Sequence, residues 1–296
     1  MKTGNAHSKL KKRREPVKLL ILPSAAMLLF ISMIPLLMLI VFSFVDGNIT
    51  TATGIRGFTL DNFKMAFSST AVPSLLAKSF YIALIVTLLC IVIGYPAAWA
   101  IAKVVKEKNR SMFVMLSIVP ALVSQLLLIY SIMQLLQSGG VVMTLLERLG
   151  ICSASDSILY TTEAVVLVLV YEYLPYMILC LYSCLEKIDD NVLAATHTLG
   201  AGRFRTFIDV VLPQSFSGLL TGILVIFIPV AGSFVEPDTV GGPYSMMIGS
   251  LINTQFNVSL NMGYGATLSF LLLVLMSLAL ALINLVMKLA ERKIGG

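Results

Sequence analysis

Apolar residues run along this 296-residue chain in stretches too long and too continuous for a water-soluble fold. A helix crosses a bilayer with roughly 20 apolar residues. Six stretches reach that length: about 17–45, 79–102, 112–136, 162–184, 214–235 and 266–289. Polar positions fall between these stretches rather than alternating within them. The pattern predicts an all-α membrane protein: one transmembrane domain over 17–289, a basic tail over 1–16 and a short tail over 290–296. Pro23, Pro35, Pro96, Pro120, Pro175 and Pro229 lie inside the stretches. Membrane helices tolerate prolines because neighbouring helices re-satisfy the freed backbone groups. The first stretch is expected to stay as a span despite Ser24-Ala25-Ala26, since a cleaved signal peptide has an apolar region of only about 7–15 residues.

Composition agrees with the pattern. The chain is 58% hydrophobic and 12% charged, and soluble domains carry about twice that charged fraction. Lys and Arg then orient the spans. With the N-terminus in the cytoplasm, 17 of them fall on the inner side and 4 on the outer side, which predicts both termini inside. The net charge of +6 needs no nucleic acid, because basic tails lie against anionic headgroups.

The catalytic inventory is nearly empty. There is no phosphate-cradling G-x-x-x-x-G-K-[ST], no G-x-S-x-G and no H-E-x-x-H. Cys90, Cys180 and Cys184 lie in spans and Cys152 in an outer loop, with no metal-ligand spacing. His7 and His197 have no carboxylate or cysteine partner at ligand spacing. No metal site, bound cofactor or catalytic residue is expected.

One polar interruption on the basic side, residues 189–213, has the marks of a folded elbow. Asn191 is the expected N-cap of a short helix whose Val192, Ala195 and Leu199 recur at i, i+3 and i+7. Gly200 stands where a left-handed C-cap residue belongs, and Gly202 permits a further bend. Phe204, Phe207, Ile208 and Val211 then predict a second short helix before Pro213 opens the fifth span. An interfacial helix lying on headgroups is the alternative. The small residues Ala194, Ala195 and Thr196 instead allow a close approach, and the glycine pair sets an angle a lipid-lying helix does not need.

These residues carry a resemblance. Ala194-Ala195-Thr196-His197-Thr198-Leu199-Gly200-Ala201, followed by Leu212-Pro213, resembles the EAA loop of ABC-importer permease subunits. Segments 57–63, 94–100, 173–177 and 185–189 extend it. Segment 234–249 resembles the spermidine/putrescine-type branch, so that most of 19–289 is covered. There are departures. Ala194 stands where the family has glutamate and Thr196 where it has its second alanine. Gln125-Leu126-Leu127-Leu128 stands where the branch often has an arginine.

The resemblance implies a type I ABC importer permease fold of six helices in the bacterial inner membrane, with a coupling helix that docks on an ATPase. The coupling residues would be Ala194, Ala195, Thr196, His197, Leu199, Gly200 and Ala201, with Phe204 and Phe207 behind them. It also implies a dimer of ATPase subunits that bind the ATP and Mg, a second related permease and an extracytoplasmic binding protein. The solute would be a polyamine. Within the same class an opine, a ferric complex or an oxyanion are alternatives. A secondary transporter, the reading from another class, would show inverted repeats, and a second copy of the elbow is absent from the sequence.

Intramembrane carboxylates point to the pathway, because a charge at the bilayer centre costs a few kcal/mol and faces a cavity or a partner. Glu163 and Glu172 are nine residues apart, about 180° around a helix, and cannot line one path together. Glu172 lies mid-span, with Tyr176 one turn on. Tyr171 and Tyr173 flank it, and Glu236 and Asp238 are expected in an acidic outer mouth. Tyrosine faces and carboxylates together suit an ammonium cation.

Overall fold

The computed structural model describes residues 5–46, 57–150 and 157–294. A long helix α1 (Asn5–Ser43) enters a short antiparallel pair, β1 (Val45–Asp46) with β2 (Gly57–Phe58), and then α2 (Asp61–Ser68). Helix α3 (Ala71–Trp99) runs on into a π-turn, Ala100–Val104. Next come α4 (Glu107–Ile118), α5 (Gln125–Leu136), α6 (Val141–Arg148) and α7 (Thr162–Leu185). The elbow holds α8 (Asp190–Thr198) and α9 (Arg203–Thr206). Helices α10 (Leu212–Ala231), α11 (Val235–Val240), α12 (Ile248–Asn257) and α13 (Met262–Ile294) complete the described chain. Among the described residues six helical segments are long and apolar enough to cross a membrane.

Helices α3, α7 and α10 form the centre. Ile82 and Val86 of α3, Leu169, Met177 and Leu181 of α7, and Ile226 and Val230 of α10 are wholly buried there. Lipid offers no hydrophobic drive between such helices, so close contact must come from small residues. Gly218 and Gly222 of α10 supply it, four residues apart and so on one face. A Cβ on Gly218 would meet Cys180 O at 2.6 Å, and one on Gly222 would meet Met177 Sδ at 2.6 Å. The first obstacle is backbone, the second the end of a flexible side chain. Gly218→Ala should therefore lower the midpoint of thermal unfolding in detergent more than Gly222→Ala, with an overpacking cost of about 1–3 kcal/mol. Equal midpoints for the two variants would contradict this packing.

Helix α3 begins at Ala71 and α13 at Met262, earlier than the sequence reading has them, and two elements differ in kind. The third apolar run is not one helix. Pro120 stands in a 3₁₀ turn, Val119–Leu122, and Val123 is extended before α5 begins. The spanning segment is then Gln125–Leu145. Pro96, Pro175 and Pro229 stay inside their helices, where flanking helices constrain the chain. The second elbow helix is not separate either. Arg203–Ala231 is one continuous helical segment, widened by a π-turn at Phe207–Val211 in which Leu212 N–H bonds Phe207 C=O. Pro213 has no N–H for the carbonyl of Asp209 and its ring would crowd that carbonyl; the wider turn relieves both.

Helix α1 lies on α13 at the edge of the bundle, with Met27, Leu28 and Phe30 more than 60% exposed, as a lipid-facing helix would be. Asn62 Nδ2 donates to Val45 C=O at 3.0 Å, and Thr267 Oγ1 to Ser43 C=O at 3.0 Å, fixing the end of α1. At the same end of the bundle α12 begins beneath α3, where Ile248 N–H donates to Ser79 Oγ at 2.9 Å. Lys78 Nζ donates to Tyr244 C=O beside it.

Candidate functional site

The elbow is built from its caps inward. Asp189 Oδ1 accepts Asn191 N–H at 2.8 Å, and Asp189 C=O accepts from Val192 and Leu193. Asp189 is therefore the N-cap, correcting the expectation for Asn191, which lies in the first turn. Its charge also suits a helix N-terminus. At the other end Gly200 has φ +80°, and Ala201 N–H donates to Thr196 C=O at 3.0 Å. That is a Schellman ending with a left-handed glycine. Gly202 is extended, φ −69° and ψ 162°, so no special backbone freedom is needed there.

The elbow presents a definite face. Ala194, Ala195, Leu199 and Phe204 are exposed, Leu199 by 86% and Phe204 by 77%. Thr196 and Ala201 are half-buried, and the side chain of His197 lies outside the described residues. Phe207 turns inward, edge-on to Tyr95 with ring centroids 5.1 Å apart. It supports the elbow and does not share the exposed face with Phe204. Leu193 also points to the core. Thr196 Oγ1 and Thr206 Oγ1, 3.2 Å apart, link the two arms. Behind them lies a cleft of about 750 Å³ lined by Tyr95, Trp99, Leu193, Arg203 and Phe207. The Lys103 ammonium bonds Asp190 and holds its carboxyl below the usual aspartate range, first through the hydrogen bond and then through charge. A depressed carboxylate pKa favours this contact above the ordinary aspartate value of about 3.9 and releases it only as pH falls through the lower folded value.

A second cluster sits on α7. Glu172 is about 15 Å along α7 from its first residue and about 20 Å from its last, at 1.5 Å per residue. Its carboxyl faces the Glu236 carboxyl and the Gln125 amide, and its Oε2 is screened from solvent with no hydrogen-bond partner among the described residues. Glu236 is not in an open mouth, as the sequence suggested. It lies in α11 and is 1% exposed. Gln125 Nε2 donates to Glu236 Oε1 at 2.6 Å and Ser233 Oγ donates to Oε2, which satisfies a carboxylate the fold has tucked in. Asp238 stays exposed beside Asn253 Nδ2 at 3.4 Å, apart from this cluster.

The tyrosines divide. Tyr173 borders both carboxyls and meets Tyr176 with ring centroids 6.1 Å apart. Tyr171 lines an apolar groove with Pro120, Leu128, Ile132 and Leu167, on the other side of α7, and is not part of the cluster. Gln125 is the member that sequence reasoning missed. A polar residue at the start of an apolar helix was the available signal. Pro175 lies one turn on and leaves the Tyr171 carbonyl without its helical donor, loosening α7 beside the carboxyls. Among the described residues no group of three or more His, Cys, Asp or Glu could hold a metal.

Residues 90–296 match the family described as binding-protein-dependent transport system inner membrane component. The spermidine/putrescine transport system permease protein PotB of Haemophilus influenzae is 35% identical over 269 residues, 90% of this chain and 92% of that protein. PotB of Escherichia coli K12 is 35% identical over 237 residues, 80% of this chain and 86% of that protein. The fold is similar to that in the crystal structure of a bacterial ABC transporter involved in the import of the acidic polysaccharide alginate. There the TM-score is 0.72 at 14% identity, over 95% of this chain and 97% of that one. Six apolar helices on a type I importer permease fold, and a family match over most of the chain, place it in the inner membrane as a multi-pass transport subunit: the chain belongs to the binding-protein-dependent transport system inner membrane components.

Proposed function

We propose that this chain is the permease subunit of an ATP-driven polyamine importer, and that it lies with both termini in the cytoplasm. The observation that carries the substrate class is the meeting of Glu172 and Glu236 inside the bundle. Two like carboxylates in a low-dielectric setting repel each other, and a protonated amine between them turns that repulsion into attraction. Glu172 Oε2, screened and unpartnered, is an acceptor held in reserve for such a donor. Tyr173 and Tyr176 add ring faces that attract an ammonium group. Similarity to proteins named as spermidine/putrescine permeases supports the same class. An anionic solute would meet the wrong sign of charge here.

In this reading a soluble binding protein delivers the amine to the end of the bundle that carries α11 and α12, where exposed Asp238 offers a docking charge. A second, related permease completes the pathway. Two ATPase subunits bind ATP and Mg, close, and push on the exposed face of α8. Leu199 and Phe204 are apolar side chains for which water is a poor neighbour and a protein groove a good one. The chain contributes no nucleotide site of its own. Purified alone it should hydrolyse no ATP; recovered by a tag from its native cell it should bring an ATPase and a second permease with it. Hydrolysis by the isolated chain, or recovery without an ATPase, would overturn this division of labour.

A further inference from the structure

One polar tie joins the elbow to a different span. Lys103 stands in the π-turn at the end of α3, and its side chain is 8% exposed. The ammonium donates to Ile188 C=O and to Asp190 Oδ1, the latter at 2.7 Å. Ile188 is 3% exposed and precedes the N-cap; Asp190 is the first residue of α8. The turn that carries Lys103 closes with Val105 N–H on Ala100 C=O. It therefore holds one residue more than an α-turn, a rare feature that concentrates at functional positions.

The same end of α3 grips the other arm as well. Tyr95 packs on Phe207, and its hydroxyl lies 2.6 Å from Ser215 Oγ of α10. Helix α3 in turn packs along α7, which carries Glu172. Nine residues are too few for α8 to hold its shape alone in water, so its position is set by what it is tied to. The exposed Asp190 contact contributes little by itself. The buried contact contributes more, because without the ammonium the Ile188 carbonyl loses its side-chain donor.

We propose that Lys103 is a positioning residue for energy coupling: it fixes the start of α8 to the end of α3, so that displacing the elbow carries α3 with it. This rests on the reading of α8 as the surface an ATPase engages.

The test uses the full chain and two readouts. One is hydrogen exchange of the α8 amides in the purified permease; the other is spermidine taken up per ATP hydrolysed by the assembled complex. In Lys103→Met the α8 amides should exchange about tenfold faster, as loss of a hydrogen bond to a charged group implies, while those of α7 and α10 hold. Uptake per ATP should fall, and Lys103→Arg, which keeps charge and donors, should restore both. Asp190→Asn, at an exposed position, should fall between. Unchanged exchange in Lys103→Met, or faster exchange with unchanged uptake per ATP, would overturn the proposal. If Lys103→Met does not accumulate, Lys103→Gln, which removes the ammonium but keeps a polar side chain, takes its place, and wild-type exchange or uptake per ATP there overturns the proposal too. A wild-type chain that recruits no ATPase would instead sink the underlying reading, and the exchange arm tells the two failures apart.

Discussion

Gly200→Val should cut polyamine uptake by the assembled transporter about tenfold while the six spans stay folded. The reason is backbone alone. Gly200 has φ +80°, and a Cβ built there would meet nothing within 4 Å. A non-glycine residue in the left-handed region costs about 1–2 kcal/mol, and a β-branched one fits it worst. That cost falls on an element with little stability to spare, and it shifts the population of the bent elbow by about 5–30-fold. The Schellman bond from Ala201 to Thr196 would open, and the angle that sets Leu199 and Phe204 on one exposed face would be lost. Asparagine tolerates this conformation, so Gly200→Asn should keep most of the uptake. Equal uptake by the valine and asparagine variants would remove the turn from the mechanism. Ordinary bulk at Gly200 is not the issue, since the space around it is open.

Glu172→Gln should raise the spermidine concentration for half-maximal ATPase stimulation by about tenfold or more, which is about 1.4 kcal/mol and within the range for a hydrogen bond to a charged group. Assembly should be unaffected, because Glu172 Oε2 has no partner among the described residues to lose. Glu236→Ala should behave differently. It strips an acceptor from both Gln125 and Ser233, so thermal stability should fall together with affinity. Glu163→Gln is the control: Glu163 is exposed at the start of α7, beside Tyr81 and Leu167, and stimulation should be unchanged. A Glu172→Gln complex with wild-type stimulation would make that carboxyl structural.

Much of this was readable from the chain. Length and hydropathy alone locate six spans, and the charge-poor composition excludes a soluble fold. Gly200 is legible because only a few residue types tolerate a left-handed cap. Glu172 is legible because a carboxylate in mid-span demands a reason. The parts that were not legible share a cause, which is dependence on partners distant in sequence. Pro120 and Pro175 look alike in the sequence, yet only the second is buried, in a helix packed against α3 and α10, and stays helical. Glu236 looked like a mouth residue because nothing nearby announces Gln125, 111 positions away, as its hydrogen-bond donor. The π-turn at Phe207–Val211 hides because Phe204, Phe207, Ile208 and Val211 fit an ordinary helix equally well. Tyr171 is separable from the sequence alone, since it is about 200° from Tyr173 around a helix. Lys103 reads in the sequence as one more inner charge, since its partners Ile188 and Asp190 lie more than 80 positions away.

The departures from the family's loop now have a physical setting. Ala194 is exposed in α8, so a missing glutamate there subtracts a surface charge and leaves no buried group unpaired. Thr196 does more than fill space, since its hydroxyl reaches Thr206 across the bend. Gln125 begins the segment where the branch it resembles often has an arginine, and here it donates to Glu236 as a neutral amide. The carboxyl pair thus has no guanidinium beside it to compete with a cationic solute.

The most direct test of the whole reading is spermidine uptake into proteoliposomes holding the complete transporter, with the soluble binding protein outside and ATP inside. The expected result is uptake that needs both, that falls about tenfold when this chain carries Gly200→Val, and that weakens with Glu172→Gln. Uptake that proceeds without ATP, driven by an ion gradient, would contradict it.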